Sequence, residues 1–395
     1  MLVGLIVALL LVEAAMWVLR IEPERIRTKR LLINADTKPM LSYACYSSNP
    51  HGELRELPDT SQGKWVLINN MMQIAEVPLD RLPETPWCVE YRMSQMGIRD
   101  REYDVTPPAG VVRIPVFGDS FVLGEGVPIE KTLTRQTLRV LGPTKFELMN
   151  MGSSGWNTHR ELQSLEMAVP HFRAKRAIVV FTANDVEITP ELESRQEYIN
   201  DLINIRDEHL DKHEEQAWYN GPSKLVRFVG SSLEMRRIGN ETIQWYKDMY
   251  DERYNQANLV RFTSFLHRMG SRTDCEVAFV LYPRMEGLEG GYPLAEVHAK
   301  VAQMAKTAGM PVLDLAPAFE GQSTRDLWVH ESDHHPNGKG HAIAAKALAE
   351  WLRTLPGFLD PPPVAAPTPD ATPSAEPAAP AAEPGAASAA PPARN

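Results

Sequence analysis

The sequence predicts an α/β fold, three layers deep (α/β/α), with a mostly parallel sheet covered by helices on both faces. Three observations carry this reading. Short runs such as Ala177 to Thr182 (AIVVFT) and Glu276 to Tyr282 (EVAFVLY) are apolar at nearly every position, as strands buried on both faces must be. Stripes of apolar residues at helical spacing separate these runs. The 395 residues, 43% hydrophobic and 23% charged, have the composition of a globular chain with a large core.

In chain order, Val111 to Phe117 reads as a strand ended by Gly118. Ile129, Leu133, Thr137, Val140 and Leu141 then fall near one face of a helix, and Phe146 to Asn150 is a short strand. Thr158-His159-Arg160-Glu161 has the pattern of a capping box, and Leu162, Leu165 and Val169 continue that helix to Pro170. The AIVVFT and EVAFVLY strands follow. Leu294, Val297, Val301, Met304 and Ala308 mark a helix ended by Gly309, Pro311 to Leu315 is the last strand, and Ala342 to Leu352 the last helix. Pro115 conflicts with its strand, because it removes a ladder donor. Either the strand bulges there or a neighbour is missing at that height. Residues 186–262 break the rhythm with a charged, helical insertion, which either roofs the site or forms a solvated hairpin. Trp218, Trp245 and nearby tyrosines serve helix packing in this reading, with sugar stacking as the alternative.

The ends differ from the middle. Residues 1–20 are apolar apart from Glu13 until Arg20, long enough to span a bilayer, and read as an uncleaved transmembrane anchor rather than a signal peptide. The cluster Arg20, Arg25, Arg27, Lys29 and Arg30 behind it opposes an outward-facing domain by the positive-inside rule. Residues 21–110 form an N-terminal extension without clear periodicity, and 111–357 form the α/β domain. Residues 358–395 form a disordered tail: 24 of the last 35 positions are Pro or Ala, too little apolar surface to offset the cost of ordering. A net charge of −10 argues against nucleic acid as a partner. Three cysteines exclude a disulfide scaffold and a four-cysteine zinc site. Cys45 and Cys88 can pair in an oxidising compartment, while Cys275 reads as a buried small residue.

Four segments carry the chemistry. Phe117-Gly118-Asp119-Ser120-Phe121 stands where the first strand turns into a loop, Asn150 to Gly155 follows the second, Thr182-Ala183-Asn184-Asp185 follows the third, and Asp333-His334-His335-Pro336-Asn337 precedes the last helix. Open α/β sheets gather such segments at their C-terminal edge. The residue types suit acyl transfer. A serine hydroxyl needs an imidazole to take its proton, the imidazole a carboxylate to orient it, and the tetrahedral intermediate donors for its oxyanion. Asp119 and Asp185 read as turn-stabilising acceptors. The run Gly152-Ser153-Ser154-Gly155 lacks the spacing of a nucleophile elbow. His330, Glu331, Asp333, His334, His335 and His341 cluster in sequence, but without familiar metal-ligand spacing, so no metal is expected.

The blocks GDSF, N-x-G-x-x-G, T-A-N-D and D-H-H-P-N-x-x-G resemble those of the SGNH, or GDSL, hydrolases, in the same order. The resemblance spans about residues 90–355 and includes a lead-in, Met96 to Asp100, of the kind seen in envelope-associated bacterial members. It implies Ser120 as nucleophile, His335 as general base, and Ser120, Gly155 and Asn184 as oxyanion-hole donors. The third block has Thr182 where many members carry glycine. The family's aspartate usually lies three residues before the histidine, where this chain has Ser332. Asp333 in a shifted loop is preferred over a more distant acid or a Ser–His dyad. The expected protein is a bacterial inner-membrane esterase with an extracytoplasmic domain. It would cleave O-acetyl or other small acyl esters on an envelope polysaccharide through an acyl-serine, with no cofactor. An O-acyltransferase with the same triad, or a non-catalytic polysaccharide-binding scaffold, are the alternatives.

Overall fold

The computed structural model describes residues 2–21, 30–34, 41–46, 64–68, 74–76, 87–208, 221–330 and 333–361. Helix α1 spans Leu2–Val18. Five short strands follow: β1 (Arg30–Asn34), β2 (Leu41–Tyr46), β3 (Lys64–Ile68), β4 (Ile74–Glu76) and β5 (Trp87–Arg92). They pair antiparallel in the order β4-β3-β1-β2-β5. The extension therefore holds a sheet that its sequence does not announce. Strands of three to six residues contain too few alternations to register as a period. The β2–β5 register sets Cys45 opposite Cys88.

The second sheet is built from β6 (Val112–Gly118), β7 (Phe146–Gly152), β8 (Arg176–Phe181), β9 (Glu276–Leu281) and β10 (Val312–Asp314). Its order is β7-β6-β8-β9-β10, and every pairing is parallel. Its residues alternate between two cores. Val179, Phe181 and Phe279 face a cluster with Leu162, Leu165, Phe262 and Val301, while Ile178, Val180 and Ala278 face one with Leu133, Ala344 and Leu348. The first layer comprises α4 (Thr158–His171), α6 (Lys224–Met249), α7 (Glu252–Gly270) and α8 (Ala295–Thr307). The second comprises α3 (Leu133–Leu141) and α9 (Gly338–Leu352). The sheet is mostly parallel and helix-covered, as expected.

Pro115 pairs with Met149 of β7 in unbroken register, so the strand does not bulge. On its other side β8 pairs only with Val116 and Phe117, so the missing donor falls where no neighbour is paired. The capping-box reading shifts by one residue. Asn157 is the N-cap of α4, its side chain accepting from Arg160 N, while Thr158 and Glu161 are buried inside the helix. The insertion is no solvated hairpin. Trp245 and Tyr246 of α6 and Phe262 of α7 are buried in the first core, and Tyr250 donates to the carbonyl of Ala183. Helix α5 (Pro190–Glu208) lies beside α6, and Trp245 Nε1 donates to Leu192 O within it. Trp218 and the Pro/Ala-rich tail from residue 362 onward lie outside the described residues. Cys275 is buried.

Helix α1 covers 17 residues of the expected anchor, and no helix among the described residues is long and apolar enough to cross a membrane. Glu13 in α1 accepts from Ser223 Oγ and from the backbone N–H groups of Lys224 and Leu225, at the start of α6.

Arg99 ties the segment before β6 to the α/β domain. It is fully buried and donates to the carbonyls of Glu90 in β5 and of Leu123, Gly124 and Val127 beyond β6, with its guanidinium 3.9 Å above the Tyr91 ring. Tyr91 in turn accepts from Gly126 N at 2.6 Å. Arg99→Ala strands several buried carbonyls, each worth about 1–3 kcal/mol when unsatisfied. The expected loss in urea denaturation is about 3 kcal/mol or more. Arg99→Lys is expected to recover only part of it, because an ammonium cannot reproduce the fork.

Candidate active site

Strand β6 ends at Gly118, where a Cβ would lie 2.4 Å from Val122 Cγ2 and 2.9 Å from Val180 O. Only glycine lets the chain turn there into the short helix α2 (Ser120–Leu123). Asp119 caps this helix, its Oδ1 accepting from Phe121 N at 2.9 Å. Ser120 is therefore presented at the C-terminal edge of the sheet, beside the point where strand order reverses between β6 and β8. Its N–H stands in the first turn of a helix, where no intrahelical acceptor exists.

A two-stranded ribbon, β11 (Trp328–His330) and β12 (Asp333–Pro336), brings His335 over α2. Asn337 caps α9 behind it and donates to the carbonyls of Asp326 and Trp328, fixing the ribbon. His335 Nε2 lies 2.8 Å from Ser120 Oγ, and its Nδ1 is in close contact with Asp333 Oδ1. Asp333 Oδ1 also accepts from His335 N at 3.2 Å. An aspartate two residues before the histidine reaches it because the intervening strand places both on one face. Phe121 packs against His335 with ring centroids 5.4 Å apart.

The other two blocks arrive on β7 and β8. Gly152 and Gly155 differ in kind. A Cβ on Gly152 would sit 2.2 Å from Leu123 N, so that glycine is a packing requirement. Gly155 has φ +73°, and a Cβ there would meet nothing within 4 Å. Its N–H lies in an exposed turn after β7. Asn184 Nδ2 donates to Asp119 Oδ2 at 3.1 Å, which uses one of the two amide hydrogens and leaves the second for a ligand. Thr182 Oγ1 donates to the same Asp119 oxygen at 2.8 Å. The structure thus brings Ser120, His335 and Asp333 into one contact chain, with Gly155 and Asn184 on the neighbouring strand ends.

Buried acids stand behind this edge. Burial, reinforced by neighbouring Asp119, pushes the Glu161 carboxyl well above its ordinary range, and burial with Glu161 and Asp119 does the same for Asp185. Asp185 serves its own turn, accepting from Thr182 N at 2.5 Å.

Three charged residues escaped the sequence reading. Glu125, just after α2, is buried, with Oε2 3.0 Å from Ser154 Oγ and 3.8 Å from His335 Nε2. Arg284 and Glu286, just beyond β9, pair at 3.2 Å, and Arg284 Nη1 lies 3.5 Å from Asn184 Oδ1. Burial raises the Glu286 pKa, but Arg284 and His334 outweigh it and bring it down to about 2. For Arg284 and Glu286 the position just after a strand end was the available signal. Among the described residues of the histidine-rich segment, the histidines take different surroundings. His334 stacks on Trp328 at 3.9 Å, while His341 is buried on α9 against Tyr282. Glu125, Asp333 and His335 bring one donor atom each within 4.8 Å of one another.

Residues 116–343 match the model of the GDSL-like lipase/acylhydrolase family, and the chain belongs to that family. No curated protein matches it. Among solved structures it is similar to a member of the lipolytic G-D-S-L family from Veillonella parvula, with 15% identity over 62% of this chain and 100% of that one, at a TM-score of 0.34. A lipase/acylhydrolase from Enterococcus faecalis shares 16% identity over 62% and 96%, at 0.35. A two-domain esterase active on acetylated mannans shares 15% over 65% and 53%, at 0.34.

The electrostatics of His335 set a testable pH dependence. Burial lowers its pKa, but the carboxylates of Asp333, Glu125 and Asp119 prevail and raise it to about 9. A base must be neutral to accept a proton, so kcat/KM on an activated ester is expected to rise with pH and level off only above about 9. Asp333→Ala is expected to move this limb toward the ordinary histidine value and to cut the plateau by about 10²- to 10⁴-fold. A limb unmoved by the substitution would count against the contact.

Proposed function

We propose that this chain is a serine esterase in which Ser120 attacks an acyl carbonyl, His335 takes the serine proton and Asp333 orients the imidazole. The observation that carries this is the chain of contacts from Ser120 Oγ through His335 to Asp333 at the C-terminal edge of the parallel sheet. Attack forms the Oγ–carbon bond and passes the Oγ proton to Nε2. Backbone N–H groups of Ser120 and Gly155 and the free Asn184 hydrogen receive the oxyanion. Collapse expels the alcohol, which leaves with the Nε2 proton, and an acyl-serine remains. No step calls for a cofactor.

The substrate in this reading is an O-acetyl or other small acyl ester on a cell-envelope polysaccharide. The apolar α1, with Leu5, Leu10, Leu11 and Trp17 exposed, supports association with a bacterial inner membrane, and the domain is placed on its outer side in this proposal. The register of Cys45 opposite Cys88 suits an oxidising compartment.

The test is labelling with a fluorophosphonate, read by intact mass and peptide mapping. One adduct is expected on Ser120, with none in Ser120→Ala and a strongly slowed reaction in His335→Ala. A folded parent protein that takes no adduct would overturn the proposal.

A further inference from the structure

We propose that Glu125 holds the hydrolytic water of the deacylation step, which commits this site to hydrolysis rather than transfer to an alcohol. The inference rests on the acyl-serine reading above and names which nucleophile ends it.

Glu125 is only 4% exposed, so its carboxylate is held away from bulk water beside the site. Its backbone is pinned on both sides. Arg99 grips the carbonyls of Gly124 and Val127, and Tyr91 accepts from Gly126 N. Its Oε2 accepts from Ser154 Oγ at 3.0 Å, which links it to the turn carrying Gly155. The same oxygen lies 3.8 Å from His335 Nε2. The orienting role is already filled by Asp333 on the opposite ring nitrogen. Glu125 therefore faces the nitrogen that exchanges protons with the reactants.

In the acyl-enzyme Ser120 Oγ is esterified and no longer donates to Nε2, which is open to an incoming nucleophile. One oxygen at ordinary hydrogen-bond distance from both acceptors spans a 3.8 Å gap. Water has two O–H bonds, so it donates one to Nε2 and the other to Glu125 Oε2. A simple alcohol has one and is held at a single point. Water oxygen then bonds to the acyl carbon while its first proton passes to Nε2. The carbon–Oγ bond breaks, Oγ takes that proton back, and the carboxylic acid leaves. Fixing the attacking atom is the kind of positioning whose loss costs about tenfold or more.

The experiment uses the full chain with p-nitrophenyl acetate, comparing the parent with Glu125→Gln and Glu125→Ala. Burst amplitude, steady-state rate and the mass of quenched protein are measured, with and without methanol. Both variants are expected to keep a stoichiometric burst, which also reports a folded site, while turnover falls about tenfold or more and acetyl-Ser120 accumulates. The share of acetyl released as methyl acetate is expected to rise severalfold, because methanol never used the second contact. The acid limb of the pH profile is expected to move down, leaving Asp333, Asp119 and His341 as the titratable groups coupled to His335. Unchanged turnover, or a burst and turnover that fall together with the methanol share unmoved, would overturn the role of Glu125 alone. Acetyl on Ser120 in neither the parent nor either variant would overturn the acyl-serine reading and this inference with it.

Discussion

The Asp119 carboxylate is the joint on which the site depends. One oxygen caps α2 and so sets the backbone of the Ser120 turn, while the other accepts from Thr182 Oγ1 and Asn184 Nδ2. A single buried group thus couples the end of β6 to the end of β8 across the point where strand order reverses. Charge-assisted bonds in a low-dielectric setting are strong, and each depends on the others being made. Thr182 is therefore a working member of its block, because its hydroxyl supplies one of the two donors to that oxygen.

A second joint fastens the N-terminal sheet to this edge. The Met96 to Asp100 lead-in acts through its last two residues. Arg99 holds the loop after α2, and Asp100 accepts from Asn150 N and pairs with Arg135 of α3. Val89 and Tyr91 of β5 pack with Val127 and Val329, one from the loop after α2 and one from the ribbon that delivers His335. The extension thus braces both sides of the Ser120–His335 contact, which explains why a lead-in precedes the nucleophile block.

The carboxylates around the site divide by solvation and partners. Asp333 and Glu125 surround His335 and favour its charged form. Glu161 and Asp185, buried behind Asp119, are driven toward their neutral forms by desolvation and by neighbouring carboxylates, Asp119 for Glu161 and Glu161 with Asp119 for Asp185.

The amino-acid sequence by itself determined the parallel strands, the helices between them and the four blocks at strand ends, because these are local patterns of period and turn chemistry. It singled out Ser120, His335, Gly155 and Asn184 through block order. It left open which acid meets His335, since spacing alone does not reveal how a two-stranded ribbon turns its side chains. It was silent on the antiparallel sheet, whose short strands carry little periodicity, and on Glu125, Arg284 and Glu286, which gain meaning only from residues far along the chain. Tertiary structure decided those points: the fold of the ribbon turned Asp333 onto His335, and Glu125 meets His335 about 200 residues along the chain, a pair that no short window of sequence contains.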